Sequence, residues 1–391
     1  MTSWSGRAEA RVAGFTSTRS KTPDALFGGP GGPTHMTLAQ DCRVETADGR
    51  VLLDWTMALG AVSLGYAHPL VSEAVARAVR DGAVGPLPPR LEVRVAERLA
   101  ESYPGAEQVR FFKTGAEAVQ AAVRLARVVT GRDAVVHCGY HGWLDGPTSG
   151  AGVPSAVSGL WHAAAFNDVA SLEAAVRAVR PAAIMLEPVI EEPPLPEWLQ
   201  AARRLADETG SLLVFDEVKT AFRLSRGGGA QVYGVTPDLA VLGKALSNGF
   251  SLAALAGRGD CMSRLRETWV SSTLATEFVA LAAADAVLDV WEQTDVAGHI
   301  ETVGRMMLDD LRQLEAEPVW PQSRVEVAGI PAMWFLRWSE PEPERALLLA
   351  CARRGVLLKR GAYNFPSLAH TGRDVRTTIG ALRDALSEIA P

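Results

Sequence analysis

The sequence predicts an α/β chain: a large domain built on a mostly parallel sheet with helices on both faces, followed by a smaller α+β domain. Three observations predict it. Short apolar runs alternate with helical stretches through the middle of the chain. Each of those runs ends in a turn carrying polar, chemistry-bearing residues. After about residue 295 the alternation gives way to helix, two strands (324–338), helix, strand and helix.

The bulk numbers suit that architecture. A chain of 391 residues exceeds one compact core, which favours a large domain with a smaller companion. Apolar residues make up 48% and charged residues 21%, a balance that supports a buried core. The formal net charge of −6 provides no basic footprint, which argues against nucleic acid and anionic membranes as partners. Cys42, Cys138, Cys261 and Cys351 are scattered without C-x-x-C spacing, so reduced thiols in a cytoplasmic protein are expected, not disulfides or a zinc site. No apolar run is long enough to span a bilayer.

In chain order, the Ser/Thr/Arg-rich stretch up to Lys21 is expected to be a loosely docked arm, with a transit peptide as the alternative. G-G-P-G-G-P (28–33) is a loop, because no Lys-Ser/Thr follows to make a nucleotide-binding turn. R-V-E-T-A-D-G-R-V-L-L-D-W (43–55) alternates around Asp48-Gly49, a hairpin pattern. Helices are expected from Pro69 to Asp81-Gly82 and over 90–102. The apolar runs then come at 109–112, 134–138, 182–186, 212–215 and 238–242, with helices such as 118–127 and 199–208 between them. The expected domains are an arm and hairpin (1–60) packing with the small domain, a large domain (61–294) and a C-terminal small domain (295–391).

In an open parallel sheet, ligands bind beyond the carboxyl ends of the strands. There the sequence places Lys113-Thr114-Gly115-Ala116-Glu117, Gly139-Tyr140-His141-Gly142, Glu187-Pro188, Asp216-Glu217-Val218 and Gly243-Lys244. A turn of small residues opening a helix offers N–H groups and a positive dipole end to a phosphate. Asp216 would be costly at the end of an apolar strand without a cationic partner, and a pyridinium nitrogen is one. A partly buried Lys244 would have the lowered pKa that a nucleophilic amine needs. Tyr140 can stack on a planar ring. Taken singly, each has a plainer reading: a helix cap for T-G-A-E, a cap or metal ligand for Asp216, a surface lysine, an interface or core aromatic for Tyr140, a strand end at Glu187. Their conjunction at one crevice favours a site.

At these residues the chain resembles the class III (subgroup II) aminotransferases of pyridoxal-phosphate (PLP) fold type I, within them the glutamate-1-semialdehyde aminomutase branch. The resemblance runs from about Leu53 to Leu288. It rests on V-R-F-F-K-T-G-A-E-A, C-G-Y-H-G-W, L-E-P-V, V-F-D-E-V-K-T-A-F-R, P-D-L-A-V-L-G-K-A-L-S-N-G and S-S-T-L-A-T-E. It implies that Lys244 attaches PLP and shuttles the proton, and that Asp216 pairs with the pyridine nitrogen while Val218 packs behind the ring. It implies further that Tyr140 stacks in front, with His141 and Gly142 shaping that loop. Thr114, Gly115 and Ala116 would cradle the phosphate, and Glu187 would line the site wall. Thr273 would reach the phosphate from the neighbouring subunit, which implies a homodimer with shared sites. Candidate substrate contacts are Trp55, Arg90, Glu192, Tyr363 and Asn364.

Four departures from the family pattern bear on substrate. Ala116 replaces a hydroxyl residue, and I-E-E-P-P with Glu191 and Glu192 follows L-E-P-V where an asparagine is usual. S-T-L-A-T-E lacks the usual glycines, and the chain is shorter than most relatives, its 359–370 segment matching only loosely. The expected activity is amino transfer from an amine donor to a ketone or aldehyde of a biosynthetic pathway, such as a keto-sugar or secondary-metabolite carbonyl. The alternatives are intramolecular amino transfer of the aminomutase type, epimerisation, and a catalytically inactive PLP-fold binding protein.

Overall fold

A computed structural model describes residues 3–322 and 324–389. The chain forms two compact units, one comprising residues up to His68 together with Gly298 onward, the other Pro69–Ala297.

The first unit opens with the helix Trp4–Arg11, whose first turn is capped by the Ser3 hydroxyl. Three strands follow, β1 (Met36–Gln40), β2 (Arg43–Thr46) and β3 (Val51–Asp54), paired antiparallel in that order. β2 and β3 are the predicted hairpin about Asp48-Gly49, and Gly49 supplies the positive φ (82°) that its turn requires.

The second unit is built on a seven-stranded sheet: β4 (Gln108–Phe112), β5 (Val135–Cys138), β6 (Trp161–Ala163), β7 (Ala183–Leu186), β8 (Leu212–Asp216), β9 (Leu239–Leu242) and β10 (Ala253–Gly257). The spatial order is β4-β10-β9-β8-β7-β5-β6. β9, β8, β7, β5 and β6 run parallel; β10 is antiparallel to both of its neighbours, β4 and β9. The five predicted apolar runs are β4, β5, β7, β8 and β9. β6 and β10 were not foreseen. β10 reads A-A-L-A-G, without the β-branched or aromatic residues that mark a strand, yet all five residues are buried.

The reason lies in its neighbours. Ala253 and Leu255 share one sheet face with Val241, Val214, Met185 and Val135, and that face packs on the helix Gly115–Thr130 through Ala118, Val119, Ala122, Val123 and Ala126. The helix contributes alanines at i, i+4 and i+8, so it sits close, and the strand beneath it is correspondingly small. Where Gly257 stands, a Cβ would lie 2.5 Å from the Asp238 carbonyl oxygen.

The C-terminal part of the first unit follows the expected order. After the helix Val296–Glu315 come β11 (Val325–Ile330) and β12 (Met333–Trp338), an antiparallel pair; then the helix Pro341–Arg353, β13 (Val356–Leu357) and the helix Gly372–Ile389. β13 joins the N-terminal sheet parallel to β3. Arg360 and Lys359 donate to the carbonyls of Asp24 and Ala25, tying the two stretches of this unit together.

At its centre lies Trp55, 0% exposed. Its indole N–H donates to Thr378 Oγ1 at 2.8 Å, its ring stacks on His370 at 4.1 Å between centroids, and Trp334 meets it edge-on. His370 Nε2 lies 3.1 Å from the Asp54 carbonyl oxygen. The buried Asp54 carboxylate accepts from the N–H groups of Thr56 and Met57 and from Tyr66 Oη, and burial raises its pKa. Those bonds anchor a turn in which Met57, Ala58, Leu59 and Gly60 all have positive φ. Trp55→Ala removes a fully enclosed aromatic and should lower stability by about 3–5 kcal/mol in urea unfolding; a change below about 1 kcal/mol would show that the stack carries no weight.

Candidate active site

The site-bearing turns of the second unit converge at the carboxyl ends of β4, β5, β7, β8 and β9. Thr114 ends the β4 turn and caps the helix Gly115–Thr130 in a capping box: its hydroxyl accepts from Glu117 N–H, and Glu117 Oε2 accepts from Thr114 N–H at 2.8 Å and from Thr114 Oγ1 at 3.1 Å. The threonine side chain is therefore engaged by the cap. The N–H groups of Gly115 and Ala116, at the first two helical positions, are the donors that a helix leaves open for an anion.

Two close approaches lock this turn to its neighbours. A Cβ on Gly115 would stand 2.9 Å from a Val218 methyl, so Val218 packs directly against the turn. A Cβ on Gly142 would stand 2.8 Å from the Ala116 Cβ, and Gly142 has φ 95°. The small residue at 116, in place of a hydroxyl residue, is the surface on which the 139–142 loop rests.

After β5, Tyr140 is 68% exposed, which leaves its ring available for stacking and rules out the core reading. His141 turns inward and is buried, its Nδ1 2.9 Å from Asp216 Oδ2. The carboxylate accepts, so Nδ1 carries the proton. The other ring nitrogen, Nε2, is buried and lacks a hydrogen-bond partner among the described residues. The His137 ring stands edge-on to it at 5.7 Å, and burial together with His141 lowers the His137 pKa to about 4, so this neighbour is neutral. Asp216 Oδ1 accepts from Val218 N–H at 3.2 Å. The carboxylate at the end of β8 is thus buried and hydrogen-bonded on both oxygens, to the His141 ring on one and to the Val218 N–H on the other.

Glu187, at the end of β7, accepts the Tyr140 N–H on Oε1 at 2.7 Å and pairs through Oε2 with the Lys219 ammonium at 2.7 Å. Lys244 follows β9 in a left-handed conformation, φ 47°, rare for a residue with a side chain. Burial, followed by the nearby Lys219, lowers its pKa to about 8, against the pull of Glu187 and Asp216.

Two further participants, the buried Glu217 and the half-buried Lys219, were given no role by sequence reasoning. Glu217 accepts from Tyr103 Oη and the N–H groups of Gly229 and Ala230, and also bonds Thr220; burial raises its pKa. It fixes the chain just beyond Asp216. Lys219 completes the charge set. Its signal was a cation three residues after Asp216, in the turn that closes β8.

The substrate candidates are dispersed. Trp55 and Asn364 are spent in the core of the first unit: Asn364 is buried, its side-chain oxygen accepting from Lys359 N–H. In that unit Tyr363 packs edge-on against Phe335. In the second unit Arg90 is exposed at the start of the helix Arg90–Ser102, and Glu192 is exposed and bonded to Asn167. Thr273 is exposed on the segment after β10 and makes no recorded bond to the cluster around Lys244. Among the described residues no helix is long and apolar enough to cross a membrane.

Comparison with known proteins identifies the family. The model of the family "Aminotransferase class-III" matches residues 30–386. The chain is 33% identical over 416 aligned residues to a glutamate-1-semialdehyde 2,1-aminomutase of Gemmatimonas aurantiaca, covering 97% of this chain and 94% of that one. It is 34% identical to the enzyme of the same name from Sorangium cellulosum, covering 94% and 92%. Among solved structures, the PLP form of the FumI protein of Sphingopyxis sp. MTA144 superposes with a TM-score of 0.92 at 26% identity, covering 99% of this chain and 95% of that one. A glutamate-1-semialdehyde aminomutase of Pseudomonas aeruginosa in complex with PMP has the same fold, TM-score 0.86 at 23% identity, covering 98% and 93%.

Gly142→Ala should strain the backbone and press on Ala116, costing about 1–3 kcal/mol. The expected readout is a lower melting temperature with faster amide exchange across 139–142; unchanged exchange there would show that the loop does not depend on this contact.

Proposed function

Because the chain belongs to the class-III aminotransferases, we propose that it carries an amino group from an amine donor to a ketone or aldehyde acceptor in a biosynthetic pathway, the acceptor being a keto-sugar or secondary-metabolite carbonyl. The cofactor is PLP, alternating with its pyridoxamine form. The observation that carries this reading is the buried Asp216 carboxylate, hydrogen-bonded by His141 and Val218, beside a lysine whose pKa is lowered to about 8.

The residues present fit PLP. A buried carboxylate that accepts from the His141 ring and from the Val218 N–H suits a cation, which a protonated pyridine nitrogen supplies. The open N–H groups of Gly115 and Ala116 suit a phosphate, and the exposed Tyr140 ring and Val218 suit the two faces of a flat heterocycle. Lys244 would hold the cofactor covalently. When bound, PLP draws off the electron pair left at the substrate carbon and carries the amino group between the two half-reactions.

The chain's own residues do the rest. Lys244 Nζ is suited to accept the proton from the substrate carbon and to deliver it two atoms along, on the far side of the amino nitrogen; an amine with a pKa near 8 can do both close to neutral pH. Asp216 supplies a fixed negative charge, and His141 and the Val218 N–H hold its orientation. Glu187 secures the start of the Tyr140 loop through the Tyr140 N–H. Thr273, exposed in one chain, is assigned to the phosphate of a second subunit, so the working form is a homodimer; its location is cytoplasmic, in keeping with four free cysteines.

One specific observation favours a second reading. The curated relatives at 32–34% identity are named glutamate-1-semialdehyde 2,1-aminomutases. That reaction uses the same carboxylate and lysine but keeps the amino group within one substrate.

The visible spectrum separates these readings. Loss of the absorption band of lysine-bound PLP on adding glutamate or alanine, with a keto acid formed, is the expected result. A band that no donor discharges, with turnover of glutamate 1-semialdehyde, would replace aminotransfer by the aminomutase reading. Lys244→Ala should abolish the band, and Asp216→Ala should keep the fold but lower kcat by at least about a hundredfold, as loss of a buried charge at the reacting centre does; near-normal turnover would remove Asp216 from its role.

A further inference from the structure

Lys219 has no part in the scheme above, yet it lies among its charges. Its ammonium is 2.7 Å from Glu187 Oε2, with both side chains 10% exposed. The other oxygen of Glu187 accepts the Tyr140 N–H. Both oxygens of this carboxylate are therefore committed, one to the main chain and one to a cation.

The charged groups close enough to act on the Lys244 amine are Lys219, Glu187, Asp216 and Arg223. Asp216 already accepts from His141 and from Val218 N–H. None of the ion pairs among the described residues includes Lys244. That is a chemical requirement for a nucleophilic lysine. An ammonium that settled against a buried carboxylate would be stabilised in its charged form and would not attack a carbonyl. Glu187 is one of the two carboxylates whose charge pulls on Lys244.

We infer that Lys219 is a positioning residue: by occupying Glu187 it keeps that carboxylate from capturing the Lys244 ammonium, and so holds the Lys244 amine ready to attach the cofactor. Its own positive charge acts in the same direction, since repulsion from Lys219 follows burial as a cause of the low pKa of Lys244. The inference rests on Lys244 being the attachment point.

The test is the rate at which PLP-stripped, full-length protein takes up PLP, followed by visible absorbance as a function of pH. In the unaltered protein the rate rises through about pH 8, where Lys244 loses its proton. In Lys219→Met the loss of repulsion and the release of Glu187 both raise the lysine pKa. The profile should move up by about one pH unit, which makes uptake at pH 7 about tenfold slower. Lys219→Arg keeps the cation and should stay with the unaltered protein. The double variant Lys219→Met with Glu187→Gln removes the competing anion as well and should bring the profile back.

An unmoved Lys219→Met profile overturns the inference, as does an equal displacement in Lys219→Arg or a double variant that stays displaced. If Lys219→Met does not fold by circular dichroism, Glu187→Gln alone decides: its midpoint should fall below that of the unaltered protein, and an unmoved midpoint overturns the proposal. Lys244→Ala separates the two levels. Uptake that persists in it removes Lys244 as the attachment point; an inert Lys244→Ala beside an unmoved Lys219→Met refutes the role of Lys219 alone.

Discussion

A carboxylate at the end of a strand buried on both faces is the constraint around which this site is arranged. All five residues of β8 are enclosed, so Asp216 emerges from apolar surroundings with little water to solvate its charge. Each neighbour answers that problem. His141 turns inward to donate to it, and Val218 bends its N–H back toward it. Glu217 then pins the chain beyond through Tyr103, Gly229 and Ala230. A cation on Asp216 completes the set, and the cofactor's ring nitrogen is proposed to be that cation.

The same logic governs the remaining charges. Two lysines and two carboxylates share a small volume of low polarity, where interactions are strong and unpaired charge is expensive. Pairing Glu187 with Lys219 leaves Lys244 as the amine with the depressed pKa. The proposed division of labour between the two lysines follows from which carboxylate is already occupied. Backbone geometry adds to the distinction, because Lys244 sits at positive φ, held there by the extended Gly243 before it and the short turn Lys244–Ser247 after it.

Much of this was legible in the sequence, for a physical reason. Parallel strands buried on both faces read as uninterrupted apolar runs, and the residue after each run is at the carboxyl end of the sheet by construction. Locating β4, β5, β7, β8 and β9 therefore also located Thr114, Tyr140, Glu187, Asp216 and Lys244. β10 was hidden because its alanines answer to the close helix above it, not to strand propensity. Trp55 and Asn364 were candidate substrate contacts. Stacking on His370 and a bond to Lys359 N–H put them in the core instead. Side-chain pairing across separate turns, as in Glu187 with Lys219, leaves no periodic trace, so sequence spacing alone could not reveal it.

The plainest strand in the molecule has a bearing on how the chain can vary. Ala253–Gly257 carries no functional group, yet it is wedged between β4 and β9 beneath a helix whose first turn is the proposed phosphate cradle. An added methylene there has nowhere to go but outward, lifting the helix and with it the two N–H groups proposed to hold a phosphate. Tolerance to change in this chain is therefore expected to follow clearance more closely than chemistry. A silent alanine seam of this kind can be harder to alter than several of the polar residues at the mouth of the site.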